Sequence, residues 1–510
     1  MSSKSAETLY GEVRKQCRTT SLLTYAMAEL EWDERTKMPP AAGEFRTEQV
    51  TLLAGMVHRR WTDERFVGQI NELAASPLAS DKDSPAGATI RRLKRNVDKK
   101  IKLPQSLVEA LSEAASAGQQ VWEKARHNND FASFQPYLAR MFELKRQQAE
   151  ALGYKTSPYD ALLDDYEPEE TAANVSRVLT AMREHLVPLV AAIGASKRKP
   201  DSSILTRSYP VGLQETFGIQ AAAAIGFDFN RGRLDVTVHP FCTTLGPHDC
   251  RITTRYDEHF FNMSLFGILH EAGHGMYEQG LPPGEFGLPL GEAISLGIHE
   301  SQSRMWENLV GRSRAFWDHF YPKAQQTFAS LQGVELDDFY FAINESRPSL
   351  VRVEADEATY NLHILIRFEM EQLLLNGDLS AADAPAAWNE KYGKYLGITP
   401  KTDAEGILQD VHWSAGLIGY FPTYTLGNLY ASQFFESASK HLTSPSEGIE
   451  DTFRRGEFQP LLEWLRDNIH CHGQRYSAAE LVQRVTGRPL TPEPLMAHLK
   501  SKYGDLYGIT

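Results

Sequence analysis

Apolar residues recur at intervals of three and four over most of this chain. Beyond Pro104 they fall at Leu107, Val108, Leu111, Ala114, Ala115, Val121, Trp122 and Ala125, the spacing of a helix with one buried face. Pro104 stands at the start of that segment, where a missing N–H costs little. Similar patterns run through residues 50–73, 137–152 and 355–374, so the pattern predicts a mainly α protein. One region departs from it. Residues 234–239 (LDVTVH) and 250–256 (CRITTRY) are rich in β-branched side chains and flank a turn-like stretch containing Gly246 and Pro247. They predict a hairpin or small sheet, whose edge strand is suited to holding an extended peptide.

Composition narrows the class. The chain has 510 residues, 42% of them hydrophobic and 23% charged, as in an ordinary globular protein. A net charge of −13 argues against nucleic acid as a partner, since that demands a positive footprint. The basic run at 91–102 (RRLKRNVDKKIK) reads as a solvated helical face. Cys17, Cys242, Cys250 and Cys471 are too scattered for a disulfide framework or a thiolate cluster. No apolar run reaches the length expected of a membrane span. The opening MSSKSAETLYGEVRKQ lacks the apolar core of a secretory signal, and the closing YGDLYGIT carries no lipidation motif. The expectation is a cytoplasmic protein with no membrane partner.

The chemistry concentrates in the run HEAGH at 270–274. On a helix, His270 and His274 lie one turn apart on one face, and two imidazoles so placed can share one Zn²⁺. Glu271 points roughly 100° away, where its carboxylate can serve as a base without being a ligand. The flanking residues Phe260, Phe261, Leu265, Phe266, Ile268, Leu269, Ala272 and Met276 make the helix apolar nearly all round, hence buried. Buried histidines and a glutamate need partners, and a metal is one. A third protein ligand is required, with a fourth position left open. A second helix, expected at about 291–310, offers Glu292, Glu300 and Glu307 at spacings of eight and seven. All three lie near one face, and spacing leaves the choice among them open.

Six stretches of the sequence resemble the carboxypeptidase Taq family of metallocarboxypeptidases. They are WDERTKMP with Gly43, Arg46 and Gln49; HPF at 239–241; DCRIT at 249–253; HEAGH followed by HESQ at 299–302; VRVEAD at 351–356, with Val for Ile; and GILQDVHW at 406–413. The resemblance covers nearly the whole chain. It implies a helical zincin with a deep substrate groove, similar to angiotensin-converting enzyme and neurolysin. It implies one domain over 1–510, divided by the groove into two lobes, with a metal-binding core at about 234–424. It further implies a homodimer, zinc or in some members cobalt, and stepwise removal of C-terminal residues from peptides. It selects Glu300 as the third ligand. Many zincins carry Asp four residues after that glutamate; Arg304 stands there in this chain, which leaves the hydrogen-bond partners of the ligand histidines unassigned.

The expected reaction is metal-assisted hydrolysis with Glu271 as general base. His412 and Tyr420 look like the His and Tyr that helical zincins use on the oxyanion, with Tyr424 in reserve; the plainer reading makes them packed core residues. A free terminal carboxylate suits the planar fork of arginine. Arg352 is the first candidate and Arg251, on the expected edge strand, the second; the plainer reading of Arg352 is an ion pair with Glu354 or Asp356. His239, before Pro240, shapes the groove or is structural. Two rivals remain: an oligopeptidase cutting internally, which needs no arginine for a terminus, and a non-catalytic scaffold, which has no use for Glu271.

Overall fold

The structure is a computed structural model that describes residues 5–444 and 447–509. The first four residues of the amino-terminal run and the last of the carboxy-terminal run lie outside it. The chain forms two compact units. One comprises Met1–Ile101, Asp201–Ile343 and Phe434–Arg488, the other Lys102–Pro200, Asn344–Gln433 and Pro489–Thr510. The span 234–424 therefore belongs to both, divided after Ile343.

In the first unit, the helix Ala6–Thr36 starts at Ser5, whose hydroxyl accepts from the Thr8 N–H. It packs against the helices Gly43–Trp61 and Glu64–Ala74. Its apolar positions Leu9, Val13 and Cys17 meet Phe66, Ile70 and Leu73, with Ile90, Leu93, Val97 and Leu288 completing the cluster. Each set repeats at three or four, so each helix buries one stripe. The periodic stretch at 50–73 is not continuous: it breaks at Thr62 and Asp63, where the Asp63 carboxylate caps the Phe66 N–H at 2.9 Å.

The β-rich region is a three-stranded sheet: β1 (Gly232–Val236), β2 (Cys242–Thr244) and β3 (Cys250–Thr254), in the order β1-β3-β2. β3 runs parallel to β1 and antiparallel to β2. The expected pairing of 234–239 with 250–256 is thus real but parallel, because β2 closes the turn onto the other side of β3. As a result Arg251 lies on the central strand and not on an edge.

The second unit is built on the helix pair Gln105–Asn128 and Phe131–Leu152, joined through Asn129 in the left-handed conformation (φ 54°) and capped by Asp130. The helix Tyr360–Asn376 runs through its core with Leu362, His363, Arg367 and Glu371 buried. The periodicity at 355–374 starts earlier than this helix, since Asp356 folds residues 356–359 into a turn by accepting from the Ala358 and Thr359 N–H groups. Among the described residues one helix, Ala172–Ala195, is long and apolar enough to cross a membrane by length and composition, against the expectation of none. Its stripe Val175, Val178, Leu179, Met182, Leu186 and Val190 is buried within the unit.

Candidate metal centre and active site

HEAGH lies on the helix Phe261–Gly280, here the histidine helix. It is enclosed as its composition requires, apart from Phe260, which precedes it and is exposed. Gly273, Gly275 and Gly280 of this helix mark close approaches. A Cβ on Gly275 would fall 2.6 Å from the Phe227 ring and 3.3 Å from Ile252 of β3. A Cβ on Gly273 would fall 2.6 Å from the carbonyl oxygen of Gln302 and from Cα of Ser303. The glycine inside the motif therefore lets a second helix, Leu296–Arg304, lie directly against the histidines. That helix begins at Ser295, whose hydroxyl caps Ile298, and the segment before it is anchored by the Ile294 N–H donating to the Tyr277 hydroxyl at 3.2 Å.

The approach places Glu300 Oε2 3.6 Å from His270 Nε2 and 3.4 Å from His274 Nε2. Donor atoms of these three residues all lie within 4.8 Å of one another. Around one tetrahedral ion with bonds near 2.1 Å, neighbouring donors stand ~3.4 Å apart, so the set fits a divalent metal. The remaining ring nitrogens are committed elsewhere. His270 Nδ1 lies 2.9 Å from Glu307 Oε2, and His274 Nδ1 lies 3.1 Å from the His299 carbonyl and 2.5 Å from its ring. His299 in turn donates from Nε2 to Glu278, which accepts from Thr244. A neutral imidazole held in this way carries its proton on Nδ1 and leaves Nε2 for a metal.

The expected helix at about 291–310 is two elements. Glu292 precedes it in extended backbone, so it shares no helical face with the other two glutamates. After Arg304 the chain widens into a π-helix, Met305–Gly311, as helices often do at functional sites. Glu307 sits on that turn and holds His270. Arg304 bonds Glu300 Oε1 at 2.7 Å and Glu307 Oε2 at 3.2 Å. Glu271 is buried, and its Oε2 has no hydrogen-bond partner. Burial pushes this carboxyl up to about 7; His270 opposes the rise, and Glu300 adds to it.

Arg352, His412, Tyr420 and Tyr424 belong to the second unit. Arg352 is buried in a short turn, Arg352–Glu354. Its partner is neither Glu354 nor Asp356. Arg352 Nε and Nη2 grip Asp410 Oδ1 at 2.9 and 2.8 Å, and Nη1 donates to the Tyr360 hydroxyl. The second oxygen of Asp410 takes Arg367 at 2.7 and 2.6 Å. Burial would raise Asp410, but Arg367 and Arg352 hold it well below the ordinary carboxylate range. His412 Nδ1 makes no hydrogen bond and lies 4.0 Å from Asp410, while Nε2 meets the Tyr424 hydroxyl at 3.3 Å. Burial lowers this imidazole to about 4. The Tyr420 ring packs on His412 and Tyr424. The loop bearing these groups is tied to Glu371, which accepts from Tyr159, Trp413 Nε1 and the Gly419 N–H.

Arg251 is taken up by Asp249 and Glu29 and stacks on Trp32. His239 lies exposed on a bend after β1. Sequence reasoning offers Glu307 only as a rival ligand and passes over Glu278, Asp410, Arg367 and Glu371. Asp410 stands inside GILQDVHW; Glu278, Arg367 and Glu371 sit in helices where nothing but tertiary contact marks them.

Comparison with known proteins gives the same reading across the chain. A family model described as carboxypeptidase Taq (M32) metallopeptidase matches residues 12–503. Thermostable carboxypeptidase 1 of Thermus thermophilus is 46% identical, over 98% of this chain and 99% of that protein. Carboxypeptidase 1 of Bacillus subtilis is 39% identical over 94% and 95%. Among solved structures, the M32 carboxypeptidase of Deinococcus radiodurans R1 superposes with a TM-score of 0.93 at 38% identity, covering 98% of this chain and all of that one. With the metal-fitting donors on their two helices and relatives of this likeness at full length, the chain belongs to the carboxypeptidase Taq metallopeptidase family.

Proposed function

We propose that this metallocarboxypeptidase holds zinc at His270, His274 and Glu300 and removes C-terminal residues from peptides with a free carboxylate. The observation that carries the proposal is the convergence of three donors beside a buried carboxylate, Glu271, whose Oε2 is unpartnered. Two imidazoles and one carboxylate suit zinc, and cobalt can replace it. When bound, the metal supplies a Lewis acid that makes water nucleophilic near neutral pH.

The chain supplies the rest. Glu271 takes a proton from the attacking water as its oxygen bonds the scissile carbonyl carbon, and returns that proton to the leaving amine as the C–N bond breaks. His412 and Tyr420, with Tyr424 in reserve, are proposed as donors to the oxyanion. Arg352 is proposed to receive the terminal carboxylate. Two guanidiniums share the single carboxylate of Asp410, and the surplus positive charge supports that role. Arg251 and His239 are proposed as further substrate contacts, although two carboxylates already engage Arg251. We also propose one functional domain over 1–510, a homodimer, as the family resemblance implies, and a cytoplasmic location.

A peptide and its C-terminal amide separate exopeptidase from oligopeptidase. Losing one partner of a buried charge pair costs on the order of 2–5 kcal/mol, so the amide should be cleaved roughly 30- to several-thousand-fold more slowly. Arg352→Ala should slow the free acid and leave the amide unchanged. Internal cleavage of both peptides at similar rates would make the enzyme an oligopeptidase. No cleavage of either by the zinc-loaded protein would leave a scaffold.

A further inference from the structure

We infer that Arg304 is a positioning residue that divides the Glu300 carboxylate and so makes Glu300 a one-oxygen metal ligand. The inference rests on Glu300 being a ligand, as proposed above. The two oxygens of Glu300 face different partners. Oε2 faces the Nε2 atoms of His270 and His274. Oε1 takes the Nε–H of Arg304 at 2.7 Å, one helical turn further on. A charge-assisted bond of that length is among the stronger polar contacts a protein makes; it occupies one of the two lone pairs of Oε1 and draws that oxygen's charge away from a metal.

The other group touching the carboxylate does not block Oε2. Ser303 Oγ lies 2.7 Å from the backbone carbonyl of Glu300 and 3.0 Å from Oε2. A hydroxyl has one hydrogen, and the shorter bond to the carbonyl uses it. The guanidinium also reaches Glu307 Oε2 at 3.2 Å, the oxygen that holds His270 Nδ1. Arg304 therefore ties the carboxylate ligand to the residue that orients a histidine ligand. Glu307 is further flanked by Arg312, which lies 3.6 Å from Oε1 and stacks on Phe266, so Glu307 keeps a counter-charge if Arg304 is changed. Lysine at 304 could keep a charge on Oε1, whereas a neutral side chain would release Oε1 to the ion and add a donor.

Cobalt reports the difference, because four-coordinate Co²⁺ absorbs visible light more strongly than ions of higher coordination number. The full-length protein, Arg304→Met and Arg304→Lys are each loaded with Co²⁺, and metal content and visible spectrum are recorded. Arg304→Met should bind one Co²⁺ per chain with a weaker d–d absorption than the wild type, and Arg304→Lys should keep the wild-type spectrum. Should Arg304→Met fail to fold, Arg304→Gln removes the charge with less change in shape. An unchanged spectrum in the neutral variant overturns the inference. So does equal loss of intensity in the neutral and lysine variants, or loss of cobalt from both. A wild-type protein that binds no Co²⁺, and whose metal content does not respond to His270→Ala, removes the metal reading itself.

Discussion

Glu307 Oε2 lies 2.9 Å from Nδ1 of His270, so a glutamate that helical spacing made equivalent to Glu300 meets the imidazole at the ring nitrogen that Glu300 does not face. A carboxylate in that place fixes the tautomer and orientation of a ligand histidine, and its loss typically costs about 10- to 100-fold in metal affinity. Glu307→Ala should bind zinc about that much more weakly while still filling at high metal. Glu300→Ala, lacking a ligand, should not fill. Competition with a chromogenic chelator distinguishes the two. A Glu307 variant that stays empty while the Glu300 variant fills would exchange the roles assigned here.

Ligand and base should separate cleanly. His270→Ala and His274→Ala remove donors to an ion that needs three from the protein, and metal analysis should find both variants empty. Glu271→Gln keeps every donor. It should retain a full metal complement and lose roughly a hundred- to ten-thousand-fold in kcat. Stoichiometric zinc in the His270 variant would sink the assignment.

Gly273→Ala tests the close approach of the two helices. The new Cβ would stand 2.6 Å from the Gln302 carbonyl and Ser303 Cα, both of them backbone. The Leu296–Arg304 helix must move, carrying Glu300 away from the histidines. Overpacking of this kind costs about 1–3 kcal/mol, against a helix-propensity gain of about 1 kcal/mol. Thermal unfolding should show a lower midpoint, and chelator competition a weaker site. A variant with wild-type zinc affinity would show that the helices have slack.

Asp410 sets a pH dependence of stability. Arg367 and Arg352 hold its carboxyl well below the ordinary range despite its burial. Its folded pKa lies below the unfolded value of about 3.9. The stabilisation is therefore complete above that value and fades as the pH falls toward the folded pKa. Asp410→Asn leaves two buried guanidiniums without their shared anion, which costs about 3–5 kcal/mol near neutral pH. Denaturant unfolding at pH 7 and pH 3 should show the gap between wild type and variant narrowing at the acid end. A constant gap would mean that the ion pair contributes little.

Much of this protein was legible along the chain because it is local. The three-and-four spacing of Leu107, Leu111, Ala114 and Ala115 writes the helix Gln105–Asn128, since its period is set by the backbone. The four-residue gap from His270 to His274 places two imidazoles on one face for the same reason. The β-branched runs before the motif marked a sheet, although not its pairing: β2 comes between the two runs in sequence, and its hydrogen bonds to β3 put Arg251 in the centre. Family motifs selected Glu300 where periodicity alone could not.

What only the tertiary structure decided is which charges meet. Glu292, Glu300 and Glu307 are alike in type and spacing, yet one lies outside the helix, one faces the histidine Nε2 atoms and one holds His270 from behind. The π-turn at Met305–Gly311 sets the last of these, and no propensity in the sequence announced it. Arg352 finds its carboxylate at Asp410, 58 residues away along the chain, rather than at its neighbours Glu354 or Asp356. Helical and strand periods come from bonds within a few residues, so the sequence carries them openly. An ion pair depends on two distant segments arriving together, and that is settled by the packing of the whole core.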